Sequence, residues 1–286
     1  MRFFVAAATA VLLAGLMAAP VAAASSFTCT GSPGSPEAIP AGTYQSLTMP
    51  AGSFCGVVSP GTVTVQRPLT LGAGAGLIVV DSALKVRGPL TVGPGAAFGA
   101  DFAAETAPVE IDGPVTVQKD GAFILGTEIP YGPVFASIGG SVTGIDASAV
   151  IIQNVRIGGP VRVIGGGADN ALVDAVAGGP GNNYTDFEDD VIGGPLVEMG
   201  YQGIWGGVIR SVIKGPFVFA HNVQSSVDEW DIGSNAIGGP AYCADNVPAP
   251  NLGPSNGYLS NVAGPTRGNQ AATCTGVPSG ITGPTV

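Results

Sequence analysis

Eight prolines divide the middle of this chain, and each stands directly before a short apolar stretch: Pro68, Pro89, Pro114, Pro133, Pro160, Pro195, Pro216 and Pro240. Glycine precedes all but the first. The pattern reads "GPLTV" at 88–92, "GPVTV" at 113–117, "GPVRV" at 159–163 and "GPFVF" at 215–219. Successive prolines lie 21, 25, 19, 27, 35, 21 and 24 residues apart. A strict helical repeat would hold one period. Spacing that hovers near two dozen instead describes a coil of about three short strands whose corner loops vary in length.

The residues after each proline alternate with period two. Leu69 and Leu71, Leu84 and Val86, Leu90 and Val92, Val109 and Ile111, Val115 and Val117, and Val161 and Val163 are placed inward. Thr70, Lys85, Thr91, Glu110, Thr116 and Arg162 between them are placed toward solvent. Stacking such coils buries one continuous apolar column. Proline suits the corner because it fixes φ and gives up an N–H where no ladder bond is required, and the adjacent glycine permits a positive φ. Residues 60–240 show no amphipathic helical pattern. The fold expected is all-β: a single-stranded right-handed parallel β-helix of eight or nine coils, on the order of 40 Å long. An antiparallel β-sandwich would explain the alternation, but not a proline kept at one place in the repeat.

Glycine and proline make up 46 and 24 of the 286 residues, a share that taken alone signals disorder. The 45% hydrophobic content opposes that reading, so these residues are read as turns. Residues 1–24 carry a basic residue (Arg2), an apolar run around Val11–Met17 and Ala22-Ala23-Ala24 before Ser25. This is the pattern of a cleaved export signal, and it is too short for a membrane span. Its removal leaves 9 basic against 20 acidic side chains, a net charge of −11, which excludes nucleic acid as a natural partner. The remaining chain divides into an N-terminal cap (25–60), the β-helix (61–241) and an irregular C-terminal cap and tail (242–286).

An exported chain meets an oxidising compartment, where four cysteines permit three disulfide pairings. In a rod on the order of 40 Å long, Cys29 and Cys55 fall at one end and Cys243 and Cys274 at the other. A bridge needs Cα atoms within about 7 Å, so Cys29–Cys55 and Cys243–Cys274 are expected. Each would pin a cap over an exposed strand edge and keep the rod monomeric.

The repeated "GPLTV"/"GPVTV" stretches and glycine-rich corners resemble right-handed parallel β-helix repeat proteins. The whole layout is similar to a group of secreted proteins of high-GC actinomycete-type bacteria: an export signal, "GTYQSLTMPAGSFC", the repeats, then "GGPAYCADN" and "PTRGNQAATC". The resemblance implies the fold and a place outside the cell, and no activity.

Candidate chemistry gathers in residues 184–231. Eight of the 20 acids lie there, with both tryptophans and the only histidine. Tyr184, Asp186, Glu188, Asp189, Asp190, Trp205, Arg210, Lys214, His221 and Trp230 form the candidate ligand-binding set, since rings stack on sugar faces and acids bind hydroxyls. Calcium is the one cofactor entertained, at Asp186, Glu188, Asp189 and Asp190. Weighed against that set, the reading preferred for "YTDFEDD" (184–190) itself is a solvated loop. Polygalacturonase-type β-helix enzymes are resembled only loosely, through Thr185-Asp186, Asp189-Asp190 and Val212-Ile213-Lys214. His221 stands in Ala-His-Asn rather than between glycines, and Arg210 sits in an alternating strand. Thr70, Thr91 and Thr116 share one position, and flat threonine rows on β-helices are an ice-binding device. Counting from the prolines, Phe135 follows and ends that row. The function expected is non-catalytic: a structural or surface-binding protein outside the cell with an envelope or extracellular polysaccharide as partner. The rival is a glycan-cleaving enzyme or glycan-binding module using 184–231.

Overall fold

The structure is a computed structural model that describes residues 25–57, 61–100, 108–126, 136–177, 183–225, 230–250, 260–270 and 274. The export signal, Pro133, Phe135, Asp228, Glu229 and the tail after Cys274 lie outside the described residues. The chain winds into a parallel β-solenoid of about nine turns. Each full coil contributes three strands, as in Ala83–Val86, Leu90–Val92 and Ala97–Ala100. The first two belong to a 19-stranded sheet that bends at the Gly-Pro corner, and the third belongs to a nine-stranded sheet. All the pairings between these strands are parallel.

Register fixes the column that the alternation calls for. Leu69, Leu90, Val115, Val142, Val161, Leu196 and Phe217 stack rung on rung, each fully buried. Thr70 and Arg162 between inward residues are exposed, and Lys85, Thr91, Glu110 and Thr116 are half-exposed. On the nine-stranded sheet Phe98 stacks on Phe123 with ring centroids 5.2 Å apart. In the later coils the aliphatic filling gives way to Phe217, Phe219 and Trp230.

The corner obeys a different rule from the one expected. Leu69, Leu90, Val142, Val161, Leu196 and Phe217 each donate their N–H to a corner proline carbonyl of the next coil, at 2.9–3.0 Å. Proline thus accepts in the ladder while lacking the N–H that has no place there. The glycine before it does not take a positive φ. It is there because consecutive corners nearly touch: a Cβ on Gly113 would stand 2.6 Å from the Pro89 nitrogen. Gly113 also donates to the Gly88 carbonyl at 3.1 Å, so the coils cannot part. Gly113→Ala is expected to lower the urea midpoint by the equivalent of about 1–3 kcal/mol. Gly34→Ala, where a Cβ would meet nothing within 4 Å, should change it by less than about 0.5 kcal/mol.

A helix interrupts the all-β pattern, where the sequence led us to expect only strands and turns. Helix α1 (Ala171–Ala177) lies within the 35-residue interval and is too short to show helical periodicity. Asn170 caps it, its Oδ1 accepting from the Leu172 N–H at 2.9 Å. The Asn170 Nδ2 donates to the Asp120 carbonyl at 2.7 Å, tying the helix to another coil. Val173 and Val176 then cover Ala97, Ala122, Ile124, Ala149 and Ile151 on the outer face of the nine-stranded sheet. That face is therefore buried on both sides through its central coils.

Both expected disulfides are present: Cys29–Cys55 and Cys243–Cys274. At the first end Ser25–Thr28 pairs with Gly42–Met49. At the other, Thr266–Arg267 extends the long sheet past Ala241–Ala244, so the described part of the C-terminal segment adds a parallel rung rather than only irregular chain. No helix among the described residues is long and apolar enough to cross a membrane.

Candidate ligand-binding site

The stretch "YTDFEDD" is a strand and its corner. Thr185–Glu188 pairs with Ala149–Gln153 on one side and Gly206–Ile209 on the other. Alternation sends Thr185 and Phe187 into the core, and Asp186 and Glu188 to the outer face just beyond α1. Asp186 and Glu188 are nonetheless buried, so the solvated-loop expectation fails. Aromatic rings lie over Asp186, and Arg210 lies against Glu188. Trp205 lies directly over Gly207, where a Cβ would stand 2.5 Å from its ring and 3.1 Å from Asp186 Oδ1. Tyr184 meets Trp205 edge-on at 5.5 Å. The Gln153 amide donates to Asp186 Oδ2 at 2.5 Å.

Arg210 is a corner residue with φ of 52°, not the outward residue of an alternating strand. Its guanidinium grips Asp189 through Nε and Nη2, both at 2.8 Å, and also donates to Glu188. The bond to Asp189 and the charge of Glu188 push its pKa up despite partial burial, so it is a fixed cation. A lyase base must give up its proton, and this arginine is held against doing so.

The ten candidates therefore separate. Tyr184, Asp186, Glu188, Asp189, Trp205 and Arg210 share the outer face and its corner. Trp230 is wholly interior, edge-on to Phe219 at 5.3 Å. Lys214 is an exposed corner residue. His221, at a corner with φ of 58°, lies 3.4 Å from Asp245. Asp190 turns inward, its Oδ1 accepting from the Val155 N–H at 2.8 Å. Asp189 and Asp190 thus occupy different environments, unlike a catalytic pair. Nor do the four acids named for calcium converge. The only set of three potential metal-ligating side chains with atoms within 4.8 Å of one another among the described residues is Cys29, Glu37 and Cys55, whose sulfurs form a disulfide.

Asp190 instead begins a ladder of corner side chains. The Asp190 N–H donates to Ser211 Oγ, Ser211 N–H to Asn235 Oδ1, and Asn235 N–H to Asn261 Oδ1, at 2.8–3.1 Å. These groups satisfy backbone donors that the tight corner leaves without carbonyls. Burial, more than the neighbouring acids, raises the Asp190 pKa well above the usual carboxylate range.

A second feature runs along the opposite sheet. Thr28, Thr48, Thr70, Thr91, Thr116 and Thr143 are matched residue to residue in consecutive pairings. The row is twice the length expected. It passes to Thr143, not Phe135, because that coil turns its corner with Gly140-Ser141 and lacks the proline used for counting. It ends at Arg162. Aligning on the Val-Thr pair rather than the proline finds Thr143. These features define a disulfide-capped parallel β-solenoid with a row of six threonines in register along one sheet. No family model, curated protein or solved structure matches the chain.

Proposed function

We propose that this protein is a non-catalytic surface-binding β-solenoid that works outside the cell and lies along an extended polysaccharide. The observation that carries the reading is the rank of six threonines, one per coil, on a rigid sheet. A polymer with repeating hydroxyls meets the same donor, acceptor and methyl at each step of about 4.8 Å. Asp186, Glu188, Asp189, Asp190 and Arg210 support it from the other side, since their contacts with one another and with Gln153 and the Val155 N–H leave them structural work. Two disulfides fit an oxidising, extracellular compartment, and the export signal read in 1–24 agrees.

Co-sedimentation with insoluble plant and microbial polysaccharides tests this. Wild-type protein is expected to be retained by at least one of them without releasing soluble sugar. The double variant Thr91→Lys/Thr116→Lys, which breaks the flat rank, should lose at least tenfold in retention. Release of product would overturn the non-catalytic reading, and equal retention of the variant would remove the rank from it. The length of the rank also suits an ordered ice surface, a second reading that the same pair of proteins decides in an ice-recrystallisation assay.

A further inference from the structure

Beside the threonine rank, the other strip of the long sheet carries an open groove of about 310 Å3, lined by Asp112, Ser137, Ile138, Arg156 and the corners Gly139 and Gly158. That volume is at the lower end for small-ligand sites, about 300–1,000 Å3. Ser137 (on Ala136–Ile138) and Arg156 (on Val155–Ile157) are register partners on adjacent coils, so their side chains rise side by side. Neighbouring charges are already matched. Lys85 pairs with Glu110 at 3.0 Å, and Arg87 with Asp112 at 3.2 Å. Arg156 is exposed and has no ion pair among the described residues. The groove therefore holds one uncompensated positive charge on a chain that is otherwise strongly acidic.

We infer that this groove is a subsite for an acidic sugar residue of the bound polysaccharide. The inference rests on the polysaccharide reading above and names the unit recognised. The fork of Arg156 matches the two oxygens of a carboxylate or one edge of a sulfate ester. Ser137 supplies a hydroxyl next to it. Asp112, held through both oxygens by Arg87, adds no free charge beside Arg156. Carboxylated and sulfated sugars present the same chemistry, one negative charge beside free hydroxyls.

Calorimetric titration with carboxylated, sulfated and neutral oligosaccharides of equal length, at low salt, tests it. At least one acidic series is expected to bind, at least tenfold more tightly than the neutral one, and to weaken as salt is added. Arg156→Gln should remove that preference, with Arg156→Lys intermediate. Arg156 is exposed, so both variants should melt as the wild type does. Equal binding of neutral and acidic oligosaccharides, or an unchanged preference in Arg156→Gln, overturns the inference. The two proposals separate cleanly. If Thr91→Lys/Thr116→Lys loses polymer retention while Arg156→Gln keeps the acidic preference, the rank reading stands and the subsite falls. If Arg156→Gln alone loses that preference and the threonine variant binds normally, the subsite stands and the rank reading falls.

Discussion

Val117→Asp is expected to abolish folding, while Thr116→Asp, one residue away, is expected to fold and melt within about 1 kcal/mol of the wild type. Val117 is fully buried, between Val92 and Gly144 in the interior column. An aspartate there has no cation and no ladder donor to meet, and an unpaired buried charge costs many kcal/mol. The corner cannot relax to expose it, because Gly121 donates to the Gln118 carbonyl at 2.8 Å and Gln118 to the Val92 carbonyl at 3.0 Å. Thr116 is half-exposed on the outer face, where an added charge stays in water. Far-ultraviolet circular dichroism and exclusion chromatography of the two purified variants check the contrast. Equal tolerance at 116 and 117 would contradict the alternation on which the whole solenoid rests.

That alternation was legible because every Val-Thr-Val stretch repeats it with side chains whose burial preference is plain. The disulfides were legible for a related reason, since a rod keeps its two ends out of reach of each other. The threonine rank was read only in part. Proline was the counting mark, and one coil manages its corner without it. Glu198 shows a deeper limit. In Leu196–Met199 it occupies an inward position by the same rule that places Leu196 inside, and it is fully buried. Its charge argued for the surface, and alternation outweighed the charge. Asp190 and Trp230 were grouped with a surface site by proximity in sequence. Their roles depend on partners elsewhere in the fold, Ser211 one coil on from Asp190 and, for Trp230, Phe219 on the long sheet, which linear inspection does not bring together. Arg156 carried no sequence signal, because its significance comes from neighbours that pair with each other and leave it over.

Glu198 should make the protein less stable as pH rises, and Glu198→Gln should remove that dependence. Its carboxyl lies between Val163 and Phe219 in the stacked column, near the Thr185 hydroxyl and the buried Tyr201. Thr185 is close enough to ease the charged form slightly, but no group meets either carboxyl oxygen in good hydrogen-bond geometry. Burial dominates and raises the pKa from 4.5 to about 8. The folded protein therefore keeps this proton up to about pH 8, whereas the unfolded chain releases it from about pH 4.5. Between those values the unfolded state binds fewer protons, so stability falls as pH rises and levels off above 8. Over some 3.5 pH units at 1.36 kcal/mol each, the loss reaches about 5 kcal/mol. Glutamine keeps the shape and cannot ionise. Glu198→Gln is thus expected to match the wild type near pH 4.5 and to exceed it by up to about 5 kcal/mol at pH 9, read from urea unfolding at several pH values. Asp190 shifts in the same direction and steepens the wild-type curve, but it is present in both proteins and cancels from the difference. A difference between them that stays constant from pH 4.5 to 9 would show that Glu198 does not hold its proton in the core.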